Sequence, residues 1–281
     1  YARTAFKSAA ALDYDAETQE DALYNYAVLS YELDYNPYNE AIEAFELFLE
    51  KFPRSKRRED VYSYLVNVYS NTKRYNEALQ SLDRIEELNI QLKTAYQVVA
   101  FNMGIERFER GAYQSAIQAL KRVSKYPVNA EISGKAVFWT ADAHYRLTDY
   151  VNAIKEFRSF LSIPGVSDKQ LKHGAYYNIA YSYYQQEDWI QAIQAFRTYT
   201  QLSGIEDDRR LADAFARIGD CYYTKDEPDF EKSAMNYEKA LNYESQNMDR
   251  ILYALAKVYG FRSGKRQKRI ETLLDIINNY S

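Results

Sequence analysis

The chain holds one cysteine and two histidines in 281 residues. Cys221 has no second cysteine to pair with, which excludes an internal disulfide. Together with His144 and His173 it is too sparse to build a zinc site of ordinary ligand spacing. A nucleophile also needs a base within hydrogen-bond reach, and these three residues are widely separated in sequence, so catalysis is not expected. Proline and glycine are scarce as well, at 5 and 9, and long stretches are therefore free to be helical. No hydrophobic run approaches a membrane span, and no segment has the basic start, apolar centre and cleavage site of a signal peptide. Neither sign of charge dominates: 36 Lys and Arg stand against 40 Asp and Glu, a net charge of -4. That balance speaks against general nucleic-acid binding. The chain opens at Tyr1, inside a helical pattern and without Met. Its natural start is expected to lie upstream, and its compartment is not legible from this end.

What the chain does have is tyrosine, 29 of them, and a period. An aromatic residue stands three positions ahead of a small one at Tyr38/Ala41, Tyr75/Ala78, Tyr113/Ala116, Tyr150/Ala153, Trp189/Ala192 and Phe230/Ser233. Successive aromatics are 37, 38, 37, 39 and 41 residues apart. A fixed period of this length marks a solenoid, in which each unit packs on its neighbours. Within each period two helices are legible. The first carries a small residue at Ala27, Val66, Gly104, Ala141, Ala180, Gly219 or Ala256, with larger and, apart from Thr140, apolar residues one and four places before it. That spacing makes one apolar stripe with a gap where another backbone can approach. Val66 is the poorest fit. In the second helix the small residue is followed by Phe45, Leu82, Leu120, Phe157, Phe196 or Tyr237, and three residues later by a further, mostly large apolar side chain. Pro53, Pro127, Pro164-Gly165 and Gly204 fall where pairs should end.

These residues resemble the tetratricopeptide repeat, and the resemblance runs along nearly the whole chain. Ile179-Ala180-Tyr181-Ser182-Tyr183-Tyr184-Gln185-Gln186-Glu187-Asp188-Trp189-Ile190-Gln191-Ala192-Ile193 is very similar to the family signature. The links here are longer than in the family unit of about 34 residues. Phe48-Leu49-Glu50-Lys51-Phe52-Pro53-Arg54-Ser55 is also similar to repeats of bacterial envelope proteins, which implies a periplasmic or outer-membrane-associated place, a cytoplasmic one remaining open. The expected fold is an all-α, right-handed superhelical solenoid of antiparallel helix hairpins, with about fifteen helices. A half repeat at 1–16 is followed by repeats at 17–54, 55–91, 92–129, 130–166, 167–204, 205–245 and 246–281. Two-residue insertions are expected around Asp34-Tyr35-Asn36-Pro37 and Asp226-Glu227-Pro228. The last second-helix has Arg266 and Arg269 where the aromatic and small residues belong.

A second aromatic stripe on the first helices is the strongest functional signal. Tyr177, Tyr181 and Tyr184 lie at i, i+4 and i+7, on one helix face. Phe101, Ile105 and Phe108 occupy the equivalent face two repeats earlier, Phe138, Asp142 and Tyr145 one repeat earlier, and Tyr24 and Tyr31 in the first. Tyr223 continues the stripe. The resemblance implies that this face lines a concave groove, in which such proteins bind an extended peptide or a partner helix. Asp142, Arg146, Lys135 and Asp220 are expected to set its polarity. The competing expectation is that these rings pack between adjacent first helices and only stiffen the array. A glycan or other small ligand is an alternative occupant, since aromatic walls suit sugar rings. No cofactor, metal or nucleic acid is expected. The closing helix is apolar on a broad arc and is expected either to continue into a further helix or to meet a second copy end to end through 270–281. Of the remaining features, His144 is read as a packed interior histidine and Asp207-Asp208 as a helix start. Arg54 to Arg58 and Arg262 to Arg269 are read as solvated turns, and Ser182 as an outer-face residue.

Overall fold

A computed structural model describes residues 1–12, 15–33, 40–71, 73–85 and 87–280. Those residues form fifteen α-helices, one 3-10 turn at Val123–Lys125 and no strand. A lone helix α1 (Ala2–Ala10) precedes seven pairs. These are α2 (Ala16–Leu33) with α3 (Glu40–Lys51), α4 (Arg58–Asn71) with α5 (Tyr75–Arg84), α6 (Ile90–Glu109) with α7 (Tyr113–Arg122), and α8 (Ala130–Arg146) with α9 (Tyr150–Ser162). Then come α10 (Lys169–Gln185) with α11 (Trp189–Thr200), α12 (Asp208–Thr224) with α13 (Phe230–Ala240), and α14 (Met248–Gly260) with α15 (Arg266–Asn279). The chain divides into two compact units, Tyr1–Trp139 and Thr140–Ser281, each a helical solenoid.

The periodic residues sit where the helices need them. Tyr75, Tyr113, Tyr150, Trp189 and Phe230 are each the first residue of a second helix. The small residues behind them, Ala78, Ala116, Ala153, Ala192 and Ser233, are buried to the last few square ångströms. The reason is close approach. A Cβ on Gly104 would lie 2.5 Å from the Leu120 side chain, and one on Gly219 would lie 2.9 Å from the Tyr237 ring. At the second crossing the Ser233 hydroxyl also donates to the Gly219 carbonyl, at 2.8 Å. Behind each crossing a large ring or leucine fills the space: Phe45, Leu82, Leu120, Phe157, Phe196 or Tyr237. Fully burying one such side chain stabilises by about 1.5–3 kcal/mol.

The turn inside a hairpin is built the same way three times. Gly111, Thr148 and Glu187 each stand two residues before the next helix and adopt positive φ, at 76°, 59° and 59°. The following residue then donates back to a carbonyl five positions earlier, in Ala112 to Arg107, Asp149 to His144 and Asp188 to Tyr183. This left-handed cap satisfies carbonyls the ending helix leaves open. The next helix starts on an aspartate in the later repeats: the side chains of Asp149, Asp188, Asp207 and Asp229 accept from the backbone N–H three residues on. Asp207 is therefore the cap of α12. His144 is largely buried, and its Nδ1 pairs with Asp149 Oδ2 at 2.9 Å.

Three expectations change or fall out of view. Ser182 is fully buried, its hydroxyl donating to the Asn178 carbonyl at 2.8 Å, so it faces the packed side of α10. The turn at Arg54 to Arg58 is only partly solvated. Arg57 pairs with Asp21 at 2.6 Å and lies over the Tyr24 ring, while Arg58 donates to the Tyr62 hydroxyl. The insertion around Asp34-Tyr35-Asn36-Pro37, with Tyr38, lies outside the described residues.

Candidate functional site

The expected stripe lies on α2, α6, α8, α10 and α12, and its rings are mostly half-buried. In the first unit, Tyr31 meets Tyr64 of the next first helix edge-on at 5.0 Å, and Phe108 meets Trp139 at 4.9 Å. Tyr24 packs on Phe48 at 5.8 Å. Phe101 packs against the same core. The stripe therefore contributes packing between neighbouring repeats while leaving part of each ring uncovered. Two members are not presented: Phe138 is 6% exposed and Asp142 is 7% exposed. Burial raises the Asp142 carboxyl above its ordinary value, against the pull of Arg146 3.7 Å away. Lys135 is held by Glu131, four residues back on its own helix, at 2.7 Å.

In the second unit the stripe carries a polar network. Tyr177, Tyr181 and Tyr184 follow one face of α10, and their rings also contact Phe196 on α11. Their hydroxyls all turn toward α12. Tyr177 donates to Asp213 Oδ2 at 2.7 Å, Tyr181 donates to the same oxygen, and Tyr184 reaches Asp220 Oδ2 at 3.4 Å. Arg217 joins the two carboxylates. Its Nε donates to the Tyr181 hydroxyl at 3.0 Å and to Asp213 Oδ1 at 3.2 Å, its Nη2 to Asp213 Oδ1 at 3.1 Å, and its Nη1 to Asp220 Oδ2 at 2.8 Å. Tyr237 from α13 donates to Asp220 Oδ1 at 2.6 Å, and Arg250 from α14 donates to Oδ2 at 3.0 Å.

The electrostatics follow from two carboxylates and the Arg217 guanidinium held in a mostly dry place, with the half-exposed Arg250 at its edge. Only 14% of the Arg217 side chain is exposed. Burial alone would make it easier to deprotonate, but Tyr181, Asp213 and Asp220 outweigh that and hold it charged. Burial, then the negative charge of Asp213, pushes Tyr177 and Tyr181 above the ordinary phenol range. Tyr184 and Tyr237 rise through burial and Asp220. The phenols are thus fixed donors, because their ionised forms would meet an aspartate at contact distance. Cys221, beside Asp220, is buried and its thiol is pushed up to about 12, which keeps it a small, unreactive core residue.

Asp220 was expected in this face; Asp213 and Arg217 were not. They are visible in the sequence as a charged i, i+4, i+7 series, Asp213, Arg217, Asp220, on the first helix next to the Tyr177 series. Tyr145 shares the neighbourhood: it packs edge-on against Tyr150 at 5.6 Å, and Asp142 and Asp213 both act on its hydroxyl. Tyr223 lies further along, near Phe230 and Phe261. Among the described residues no group of three or more His, Cys, Asp and Glu is arranged to hold a metal ion, and no helix is long and apolar enough to cross a membrane.

The tetratricopeptide-repeat family model matches this chain at residues 21–55 and 174–202. Both segments end in the second helix of a pair or just beyond it, and the later one contains the Tyr177 series. The chain carries tetratricopeptide repeats. Solved structures agree on the fold of this repeat protein. One titled as the crystal structure of MamA protein is 18% identical with a TM-score of 0.51, over 67% of this chain and 97% of that one. MamA 41-end from Desulfovibrio magneticus RS-1 is 15% identical with a TM-score of 0.51, over 65% of this chain and 94% of that one. At such identities the likeness concerns the fold alone. No curated protein sequence matches the chain.

Proposed function

We propose that this tetratricopeptide-repeat protein is a non-catalytic scaffold that docks an extended segment or a helix of another protein on the face of its first helices. The observation that carries this reading is the Tyr177, Tyr181, Tyr184 series, half-buried and locked by Asp213, Arg217 and Asp220. Rings held this way lose little freedom when a partner arrives, so more of the contact energy survives as affinity. Arginines at the rim add directed donors: Arg146 and Arg250 are about half exposed and each is tethered to an aspartate of the face. Each guanidinium has five N–H donors and spends few of them internally. The glycan alternative is less well supported, because the phenol hydroxyls that would meet sugar hydroxyls are already committed to Asp213 and Asp220.

Truncating Tyr177 or Tyr184 would strip partners from buried carboxylates and confuse binding with folding. A photo-crosslinking phenylalanine derivative at Tyr31 or Tyr145 avoids this, with exposed Lys155 on α9 as the outer-face control. Exposed to extract from the native source, the Tyr31 and Tyr145 variants should trap one common protein that Lys155 does not. Equal or stronger capture at Lys155, with helicity retained in all three, would end the proposal.

A further inference from the structure

Asp142 and Asp220 hold the same place in the repeat, one residue after the small residue of a first helix. Their surroundings differ. Asp220 accepts from Tyr184, Arg217, Tyr237 and Arg250, so both of its oxygens are occupied. Asp142 has one charged partner among the described residues, Arg146, whose Nε stands 3.7 Å from Oδ2, beyond hydrogen-bond range. The sequence supplies the reason. Three donors reach Asp220 from other helices, and the residues in register with Tyr184, Tyr237 and Arg250 one place along from Asp142 are Phe108, Phe157 and Gly174. None of these three has a side-chain donor.

Burial makes that gap costly. Only 10% of the Asp142 side chain is exposed, and burial works against its charge. Neither oxygen is sealed from solvent without a partner, so the carboxylate lies below the surface of the stripe yet open to an incoming group. Half-buried Tyr145 and Arg146, 54% exposed, follow it on α8. Arg146 already balances the carboxylate, so no second cation is called for. What stands unused is hydrogen-bonding capacity, lone pairs on Asp142 and N–H groups on Arg146, side by side. A neutral group with a donor and an acceptor on one side fits both. One residue of an extended chain is such a group, because its own N–H and C=O point the same way, as in the hydrogen-bonded pairs of an antiparallel ladder. Inside a helix those groups are already bonded to each other.

We propose that the Asp142–Arg146 pair reads the backbone of the docked segment, Asp142 accepting the N–H of one extended residue and Arg146 donating to its C=O. This pairing rests on docking along the face of the first helices, and it selects an extended segment over a helix.

The test uses the isotope-labelled chain and two small probes read by amide chemical shifts. Acetyl-leucine methylamide should shift Asp142, Tyr145 and Arg146 in a saturable way. Its ester analogue, with oxygen in place of the leucine N–H, should bind about tenfold more weakly, the loss expected for one hydrogen bond to a charged acceptor. Asp142→Ala should take amide and ester alike. Asp142→Asn keeps the shape and removes the buried charge, so it should melt at or above the parent temperature. Equal binding of amide and ester to the parent overturns the proposal, as does a preference that survives in Asp142→Ala. A clearly lower melting temperature for Asp142→Asn also overturns it, since the carboxylate would then be held by the fold. So does cellobiose shifting these amides where the leucine probe does not. Cross-linking at Tyr31 and Tyr145 asks whether any protein docks on the face. Trapping a partner there while amide and ester bind alike removes only the role of Asp142 and Arg146.

Discussion

At the scale of single residues, the second unit concentrates its risk in Arg217 and the two aspartates it joins. Buried ion clusters are stable only while every lone pair and proton has a partner, and removing one member leaves the rest exposed to a full desolvation cost. Asp213 accepts from Tyr177, Tyr181 and Arg217. Asp213→Ala should therefore destabilise by about 2–4 kcal/mol, measured as a drop in the urea midpoint. Asp213→Asn, which keeps an acceptor oxygen, should cost roughly half of that. An Asp213→Ala variant as stable as the parent would mean the cluster contributes no net stability. The sequence shows the Tyr177 series because three side chains on one helix face follow from local spacing. It hides their destination, because Tyr177 and Asp213 are 36 residues apart and the pairing exists only once two repeats are stacked. Phe138 and Asp142 illustrate the same limit, since helical spacing places them on the stripe but does not reveal what covers it.

The helices and their turns were the most legible elements, because each depends on contacts within one period. Small residues mark crossings, and their spacing from the aromatic that opens the second helix needs no knowledge of neighbours. Ser182 was misplaced for a related reason. A polar residue on a predicted outer arc is assigned to solvent, yet a serine can return its hydroxyl to its own helix and be buried without an unpaired group. The hairpin turns carry a further consequence. Gly111 adopts positive φ without steric cost, while Thr148 and Glu187 adopt it with a side chain. The left-handed region costs a non-glycine residue on the order of 1–2 kcal/mol, and glycine pays a smaller entropic penalty. Thr148→Gly should thus raise stability by about 0.5–1 kcal/mol, with Thr148 the more strained of the two because it is β-branched. Glu187→Gly should gain somewhat less. The check is thermal melting of both variants beside Gly111→Ala, which should lose stability. A lower melting point for Thr148→Gly would show that its side chain makes a stabilising contact in the turn.

At the scale of the whole molecule, tyrosine is the residue through which this protein meets alkaline solution. Burial raises the phenols of Tyr24, Tyr64 and Tyr75 in the first unit. In the second unit burial raises Tyr145, Tyr177, Tyr181, Tyr184, Tyr237 and Tyr259, with nearby aspartates or Glu238 adding to most of them, and pushes Tyr199 up to about 12. The sign of the effect is fixed by linkage. An unfolded tyrosine loses its proton near pH 10, while these folded ones keep theirs, so above that pH the folded state binds more protons than the unfolded state. Stability is then fully present below about pH 10 and falls as pH rises toward 12. Because several phenols act together, the slope should exceed that of any one group, and it should be steeper for the second unit, where aspartates add to burial. Urea midpoints measured from pH 8 to pH 11.5 should stay level and then drop, with tyrosinate absorbance from the buried set appearing only as the fold is lost. Tyr177→Phe combined with Tyr181→Phe should flatten that drop, even though it lowers stability at neutral pH by removing two donors to Asp213. If the parent instead shows smooth tyrosinate formation near pH 10 with its helicity intact, the phenols are open to water and the network drawn through Asp213 and Asp220 does not hold in solution.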